Sequence, residues 1–305
     1  MDPSHALRAL GGAARRDQLL RGGVHLWDLL DAVANGAIRR PILGTYVLPG
    51  TPYPTIAAAS LRGRVACLSA CAAWGLLLLR PPVVPHIVVP GNRHIKDERL
   101  ARLWLPGVHR SDAPTERRLT EPIDVAIDHV AWCASPLEQL VIIDSALNKR
   151  KIDPVFPPVL ATGPVERQEW IHRMATGLCA SISETVAHAV LTAAGWRPRI
   201  QVERERVGRV DIEVGERHVI EVDSWKHHGT REAFVEDRRR DREIVAVRDF
   251  PLRFPYAEVV DDPLRFGLEV ARITGLRISP LFERRIAWML ARPQGHINYR
   301  RPRSS

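Results

Sequence analysis

Apolar positions change their spacing along the chain, and each change predicts a different element. In "HLWDLLDAVANG" the residues Leu26, Leu29, Leu30 and Val33 recur at steps of three and four, which predicts a helix. Two shorter helices precede it, the second over "ARRDQLL", each closed by Gly-Gly. After it, "AIRRPILGTYVLPG" places two short apolar stretches around Gly44, a turn between strands. Three helices and a wing predict a winged helix-turn-helix over residues 1–52. A second region, 53–150, holds an Ala-rich helix over 57–79, broken by "RPPVVP", then a strand at "HIVVP" and a helix at "SPLEQLVIIDSALNKRK". Pro-rich "KIDPVFPPVLATGP", residues 151–164, predicts a linker. A third unit is expected over 165–278, and a basic tail over 279–305.

Within the third unit the period falls to two. Val210, Ile212 and Val214 alternate with Asp211 and Glu213, and Ile220 and Val222 alternate with Glu221 and Asp223. Two such runs around Gly215 predict a β-hairpin. A loop of Gly215 to Arg217 sets Asp211 opposite Glu221, with Cβ atoms roughly 5 Å apart. Opposed like charges repel unless a positive charge lies between them. Hard oxygen ligands suit Mg²⁺ or Mn²⁺ better than zinc. The other reading is a solvated hairpin face, with Glu213 paired to Arg217 or Arg209 in water.

Three neighbours favour the chemical reading. Glu184 opens the helix 182–194, although Ser181 and Glu184 also fit a capping box that needs no chemistry. Lys226, His227 and His228 directly follow the carboxylates, where a base or a phosphate-stabilising cation is useful. In "TREAFVEDRRRDREIVAV" the spacing puts Asp237 and Asp241 on one side with Phe234 and Ile244, and Arg253 is a candidate ion-pair partner. Arg238, Arg239, Arg240 and Arg242 spread over the remaining faces and are candidates for phosphate contact, or for a solvated helix surface. In the first region Arg39 and Arg40 of the wing are the candidate DNA contacts, because the would-be recognition helix carries His25, Asp28 and Asp31 and no Arg or Lys.

Charge narrows the partners. Lys plus Arg (44) exceeds Asp plus Glu (35) in 305 residues, which favours an anionic partner, nucleic acid before membrane. The opening "MDPSHALRALGG" lacks a basic region leading into an apolar one, so no signal peptide is expected. "VACLSACAAWGLLLL", 15 residues, is short of the roughly 20 that span a bilayer. A cytoplasmic protein is expected, without a small-molecule cofactor. Cys67 and Cys71 stand four apart, Cys133 and Cys179 lie far away, and no CxxC pair occurs, so four reduced thiols are expected rather than a thiolate zinc site. His86, His94 and His109, scattered over strands and loops, are read as hydrogen-bonded structural residues.

Gly36, Ile38, Arg40, Gly44, Tyr46 and Pro49 match the end of the small winged helix of AbiEi-type antitoxins, which residues 1–52 resemble. Leu68, Ser69, Ala72, Ala73, Gly75 and Leu76 approximate the middle region of actinobacterial AbiEi-like proteins. Over about 181–260, the order of Glu184, Asp211, Glu221, Asp223, His228, Asp237, Arg240, Asp241 and Arg253 resembles the Vsr-like (very-short-patch repair) endonuclease domains of the PD-(D/E)xK superfamily. That resemblance implies an α/β fold, α+β overall, whose C-terminal part is a mixed sheet flanked by helices. It implies a metal-activated water, with Asp211 and Glu221 as ligands, Glu184 assisting and His228 carrying a proton. Asp223 stands where the broader superfamily has lysine, and Lys226 could return the positive charge. The function expected is a metal-dependent DNA endonuclease, in a phage-defence or toxin–antitoxin setting. The alternative is a non-catalytic DNA-binding transcriptional regulator or antitoxin.

Overall fold

The chain passes between two units. Met1–Gly75 and Arg80–Cys133 build the first, and Leu76–Leu79 with Ala134–Arg292 build the second. The structure, a computed structural model, describes residues 1–104, 106–111, 119–154, 160–205, 207–223, 239, 242–243, 246 and 250–293, with the side chains of Asp97 and Asp223 excepted.

The first unit begins with α1 (Pro3–Ala9), β1 (Ala13–Arg15), α2 (Arg16–Arg21), α3 (Leu26–Ala34), β2 (Arg39–Ile42) and β3 (Thr45–Val47). The Asp2 carboxylate accepts from His5 N at 2.6 Å and caps α1. Leu7, Leu19, Leu29, Ile38 and Tyr46 close one core. The strands order β1-β3-β2, with Gly44 at φ 77° in the turn between β2 and β3. The expected helix at "ARRDQLL" starts late. Ala13 and Ala14 extend and pair with Val47 and Tyr46, so tertiary pairing overrides the helical preference of alanine. In α3 only part of the expected apolar face is covered: Leu29 is buried, while Leu26, Leu30 and Trp27 are exposed beside Asp28 and Asp31.

Next come α4 (Tyr53–Leu61), β4 (Arg64–Val65), α5 (Cys67–Ala73), β5 (His86–Pro90), α6 (Asp97–Ala101), β6 (Gly107–Ser111) and α7 (Ile123–His129), which ends in a 3₁₀ turn, Val130–Trp132. The sheet orders β4-β5-β6, with β4 antiparallel and β6 parallel to β5. The single helix expected over 57–79 is therefore two helices with a strand between. Arg62 adopts a left-handed backbone (φ 54°), and Gly63 runs so close to β5 that a Cβ there would lie 2.3 Å from the Val88 carbonyl oxygen. Alanine spacing does not reveal this close approach.

The second unit holds α8 (Pro136–Asn148), α9 (Val165–Met174), α10 (Ile182–Ala193), β7 (Arg199–Arg204), β8 (Gly208–Val214), β9 (His218–Asp223), β10 (Phe250–Pro255), α11 (Tyr256–Val260), α12 (Pro263–Thr274) and α13 (Phe282–Leu290). Its sheet is mixed: β7, β8 and β9 run antiparallel and β10 lies parallel to β9. Val186, Ala187, Val190 and Leu191 of α10 share a core with Ile212, Val214, Ile220 and Val222 of the hairpin. Two expected boundaries move. Helix α8, placed in the middle domain by the sequence, gives Leu137, Leu140 and Val141 to this core, and α13, placed in the basic tail, gives Phe282, Ile286 and Met289. The steps of four and three from 282 to 289 are an amphipathic stripe that the charged residues of "FERRIAWML" conceal. The fold class is mixed α+β, as expected.

Candidate functional site

The hairpin pairs Ile212 with Ile220, Glu213 with Val219 and Val214 with His218, leaving Gly215–Arg217 as the loop. Continued one step, that register sets Asp211 beside Glu221. Asp211 is half-buried, and its Oδ2 accepts from the Val222 backbone N at 3.0 Å, so its side chain reaches across to β9. Glu221 is buried, and in the parallel pairing of β9 with β10 its Cα partner is Arg253.

Glu184 comes to the same place from the first turn of α10. Its backbone N donates to Ser181 Oγ at 3.2 Å, and its own carboxylate accepts from Ala180 N at 3.0 Å, one residue beyond the expected capping-box partner. The Gln201 amide joins the carboxylates: Nε2 donates to Glu184 Oε2 at 2.8 Å and to Asp211 Oδ1 at 3.4 Å. Gln201 sits inside β7 with a left-handed backbone (φ 53°). For a residue with a Cβ this conformation costs roughly 1–3 kcal/mol, and such strain collects at functional sites. Nothing in the sequence marks Gln201. Burial, aided by the neighbouring Asp211 charge and opposed by the hydrogen bonds from Ala180, Ser181 and Gln201, pushes the Glu184 carboxyl above its usual range.

Glu213 does not belong to this group, and it does not pair with Arg217 or Arg209 in water. It is buried and forms ion pairs with Arg199 and Arg204 of β7. Lys226, His228, Asp237, Arg238, Arg240 and Asp241 lie outside the described residues, as does the side chain of Asp223. Arg239 and Arg242 are helical positions, with Arg242 exposed.

One turn along α10 from Glu184, His188 is buried and its Nδ1 has no hydrogen-bond partner among the described residues. Burial lowers its pKa to about 4. The unfolded chain therefore takes up this proton first, and stability falls as pH drops from about 6.5 towards 4. Urea unfolding of His188→Leu over that window is expected to show a flatter pH dependence than wild type. Equal slopes would mean that His188 is charged in the fold.

The first unit holds two further clusters. Cys67 at the start of α5, His86 on β5, His109 on β6 and Cys133 just after the 3₁₀ turn bring their ligand atoms within 4.8 Å of one another. Cys67 Sγ lies 3.0 Å from Cys133 Sγ, His86 Nδ1 lies 3.2 Å from His109 Nε2, and Cys133 Sγ lies 3.3 and 3.5 Å from those two nitrogens. The hydrogen bond from Cys67, with those of His109 and His86, outweighs burial and draws the Cys133 pKa down to about 3, while burial raises that of Cys67 well above the ordinary range. His86 and His109 are hydrogen-bonded and the four cysteines are free, in keeping with the sequence reading, but the gathering of these two histidines and two of the cysteines at one place was not expected. Sequence spacing missed the group because its members are far apart: 66 positions separate the two cysteines. His94 is elsewhere and exposed.

The other cluster is a cleft of about 520 Å³ whose lining includes Arg15, Arg62, Lys96, Arg93, Arg99 and Arg102, with Glu98 as the acidic member. Burial, then the charges of Arg62 and Arg15, lowers the pKa of Arg93, and burial with the neighbouring guanidiniums does the same to Arg99. Arg15 and Arg62 share Asp17, at 3.5 and 3.2 Å. Ile42 and Leu43 at the turn of the wing complete one wall, and Arg39 and Arg40 on the adjoining strand are exposed.

No protein-family model and no curated protein matches the chain. The roles of these residues therefore rest on geometry. Among the described residues no helix is long and apolar enough to cross a membrane.

Proposed function

We propose that the protein binds duplex DNA and that its second unit hydrolyses phosphodiester bonds with the help of Mg²⁺ or Mn²⁺. The observation that carries this reading is the convergence of Glu184 and Asp211 on Gln201, held in a strained backbone, with Glu221 buried on the adjacent strand. Carboxylate oxygens are the donors a hard divalent cation prefers, and Glu184 and Asp211 already meet at the Gln201 amide. Among the described residues only the Cys/His group of the first unit gathers three or more ligand atoms closely enough for an ion, so the carboxylates would have to draw closer around a cation. Asp211 and Glu221 would hold the ion, with Glu184 beside them. When bound, it would polarise the scissile phosphate and lower the pKa of an attacking water. Asp211 is oriented by Val222 N, and Glu184 by Ala180 N and Gln201, so the carboxylates are positioned before any ligand arrives. A cytoplasmic location accords with four free cysteines. The test is metal-dependent nicking of supercoiled DNA by the full chain.

A second reading, a DNA-binding regulator without catalysis, is favoured by one observation: Asp211 already has hydrogen-bond partners for both oxygens. Loss of nicking on removal of metal separates the two readings.

In either reading the DNA backbone meets the arginine cleft and the wing, not α3, whose exposed face is apolar and acidic. Crowded guanidiniums gain most from an anion that relieves their mutual repulsion. Arg93→Ala with Arg99→Ala, and separately Arg39→Ala with Arg40→Ala, are each expected to weaken duplex binding at all sequences alike. Each pair should flatten the slope of log K against log salt by about 2 units. An unchanged slope would remove that pair from the DNA contact.

A further inference from the structure

We propose that Cys67, His86, His109 and Cys133 bind one zinc ion and that this ion staples the first unit together. Four side chains of zinc-ligating type, drawn from α5, β5, β6 and the segment after the 3₁₀ turn, aim their ligand atoms at one point. A tetrahedral ion with Zn–S of about 2.3 Å and Zn–N of about 2.0 Å needs its ligand atoms about 3.3 to 3.8 Å apart. The nitrogen–nitrogen separation of 3.2 Å and the sulfur–nitrogen separations of 3.3 and 3.5 Å are close to those of ligands around such a centre. The two sulfurs, 3.0 Å apart, would open by under about 1 Å to admit the ion. Two sulfurs and two imidazole nitrogens in a tetrahedron select zinc over the harder cations of the acidic site.

The surroundings are built for it. Cys67, His86 and His109 are buried, where an ion must be close to neutral to be tolerated. Zinc with two thiolates and two neutral imidazoles has no net charge, and any proton still held by a ligand leaves for solvent on binding. Cys67 holds a left-handed backbone (φ 50°), a strained conformation that aims its sulfur inward. The buried Glu121 carboxylate fixes that conformation. Its Oε2 accepts from Cys67 N at 3.3 Å, and its Oε1 lies 2.9 Å from His129 Nδ1. Ser69 Oγ accepts from His86 N at 2.9 Å and fixes the second ligand. Such supporting contacts orient ligands at metal sites. Protein side chains fill all four positions and leave none for water, so the ion is structural rather than catalytic. Parallel strands β5 and β6, the start of α5 and the chain leaving α7 are then held by one centre.

The experiment is elemental analysis of the full chain, expressed with added zinc and purified without chelator. About one zinc per chain is expected, with loss of most of it in Cys67→Ser and in His109→Asn. Cys71→Ser, a buried thiol outside the group, should retain it. Should the ligand variants fold poorly, cobalt reconstitution of the wild-type chain gives a separate reading. Thiolate-to-cobalt charge-transfer absorption with the intense visible bands of a tetrahedral site is expected. Zinc well below one equivalent, wild-type zinc content in both ligand variants, or cobalt absorption without a thiolate band would each overturn the proposal. An intact mass lighter by a pair of hydrogens, showing Cys67 and Cys133 joined as a disulfide, would overturn it too. Asp211→Asn should keep its zinc, so this outcome is read separately from any nuclease activity.

Discussion

Asp211→Asn is expected to lose the thermal stabilisation that Mg²⁺ or Mn²⁺ confers on the wild-type chain, and to cut DNA at least about a hundredfold more slowly. Asp211 shares Gln201 with Glu184, and the hairpin register sets it beside buried Glu221, so three carboxylates load this corner of the sheet with negative charge. A cation that binds only the folded state stabilises it by about 2.7 kcal/mol at a hundred times its dissociation constant. Asparagine keeps the size of the side chain and its acceptor for Val222 N, while removing the charge that attracts the ion. Binding of DNA without metal should persist or tighten, because an anion facing the phosphates has gone. Indifference of both proteins to metal would leave Asp211 as a hydrogen-bonded structural residue and favour the non-catalytic reading.

The second large effect concerns Glu213, two residues away on the same strand and doing different work. Its buried carboxylate is paired with Arg199 and Arg204. Replacing both arginines by alanine leaves that carboxylate unpaired and is expected to cost about 3 kcal/mol, since a buried charge without its partner is the expensive state. Glu213→Gln is expected to cost less, about 1–2 kcal/mol, because an amide tolerates burial better and the arginines, Arg199 above all, can turn to water. Neither substitution should remove the metal-linked stabilisation. Chemical denaturation of the three proteins, with and without Mn²⁺, checks this. A double arginine variant as stable as wild type would mean that Glu213 is neutral in the fold.

The hairpin was legible because period-two alternation and a Gly-containing loop fix register together, and the register fixes which carboxylates face each other. Glu184 was legible as a cap, and its second role needed the sheet. Gln201 was not legible at all, since a left-handed residue inside a strand leaves no mark in composition or spacing. The Cys/His group was missed for a related reason: its ligands sit on four elements, and only the pairing of β5 with β6 and the path of α7 bring them together. Helix α13 was hidden by charge, because Arg284 and Arg285 face outward from an apolar stripe of Phe282, Ile286 and Met289. The break between α4 and α5 depended on one close approach, Gly63 against the Val88 carbonyl, which alanine-rich sequence masks.

The claim that the second unit hydrolyses phosphodiester bonds is tested most directly by incubating the full wild-type chain with supercoiled DNA, in Mn²⁺ or Mg²⁺ and in chelator. The account predicts conversion to nicked or linear DNA with metal, none in chelator, and none with Asp211→Asn or Glu221→Gln under the same conditions. Intact supercoiled DNA in every lane, from protein that binds the duplex, would contradict it and leave the non-catalytic regulator as the better description. Cleavage that survives both substitutions would contradict it as well, by placing the chemistry elsewhere.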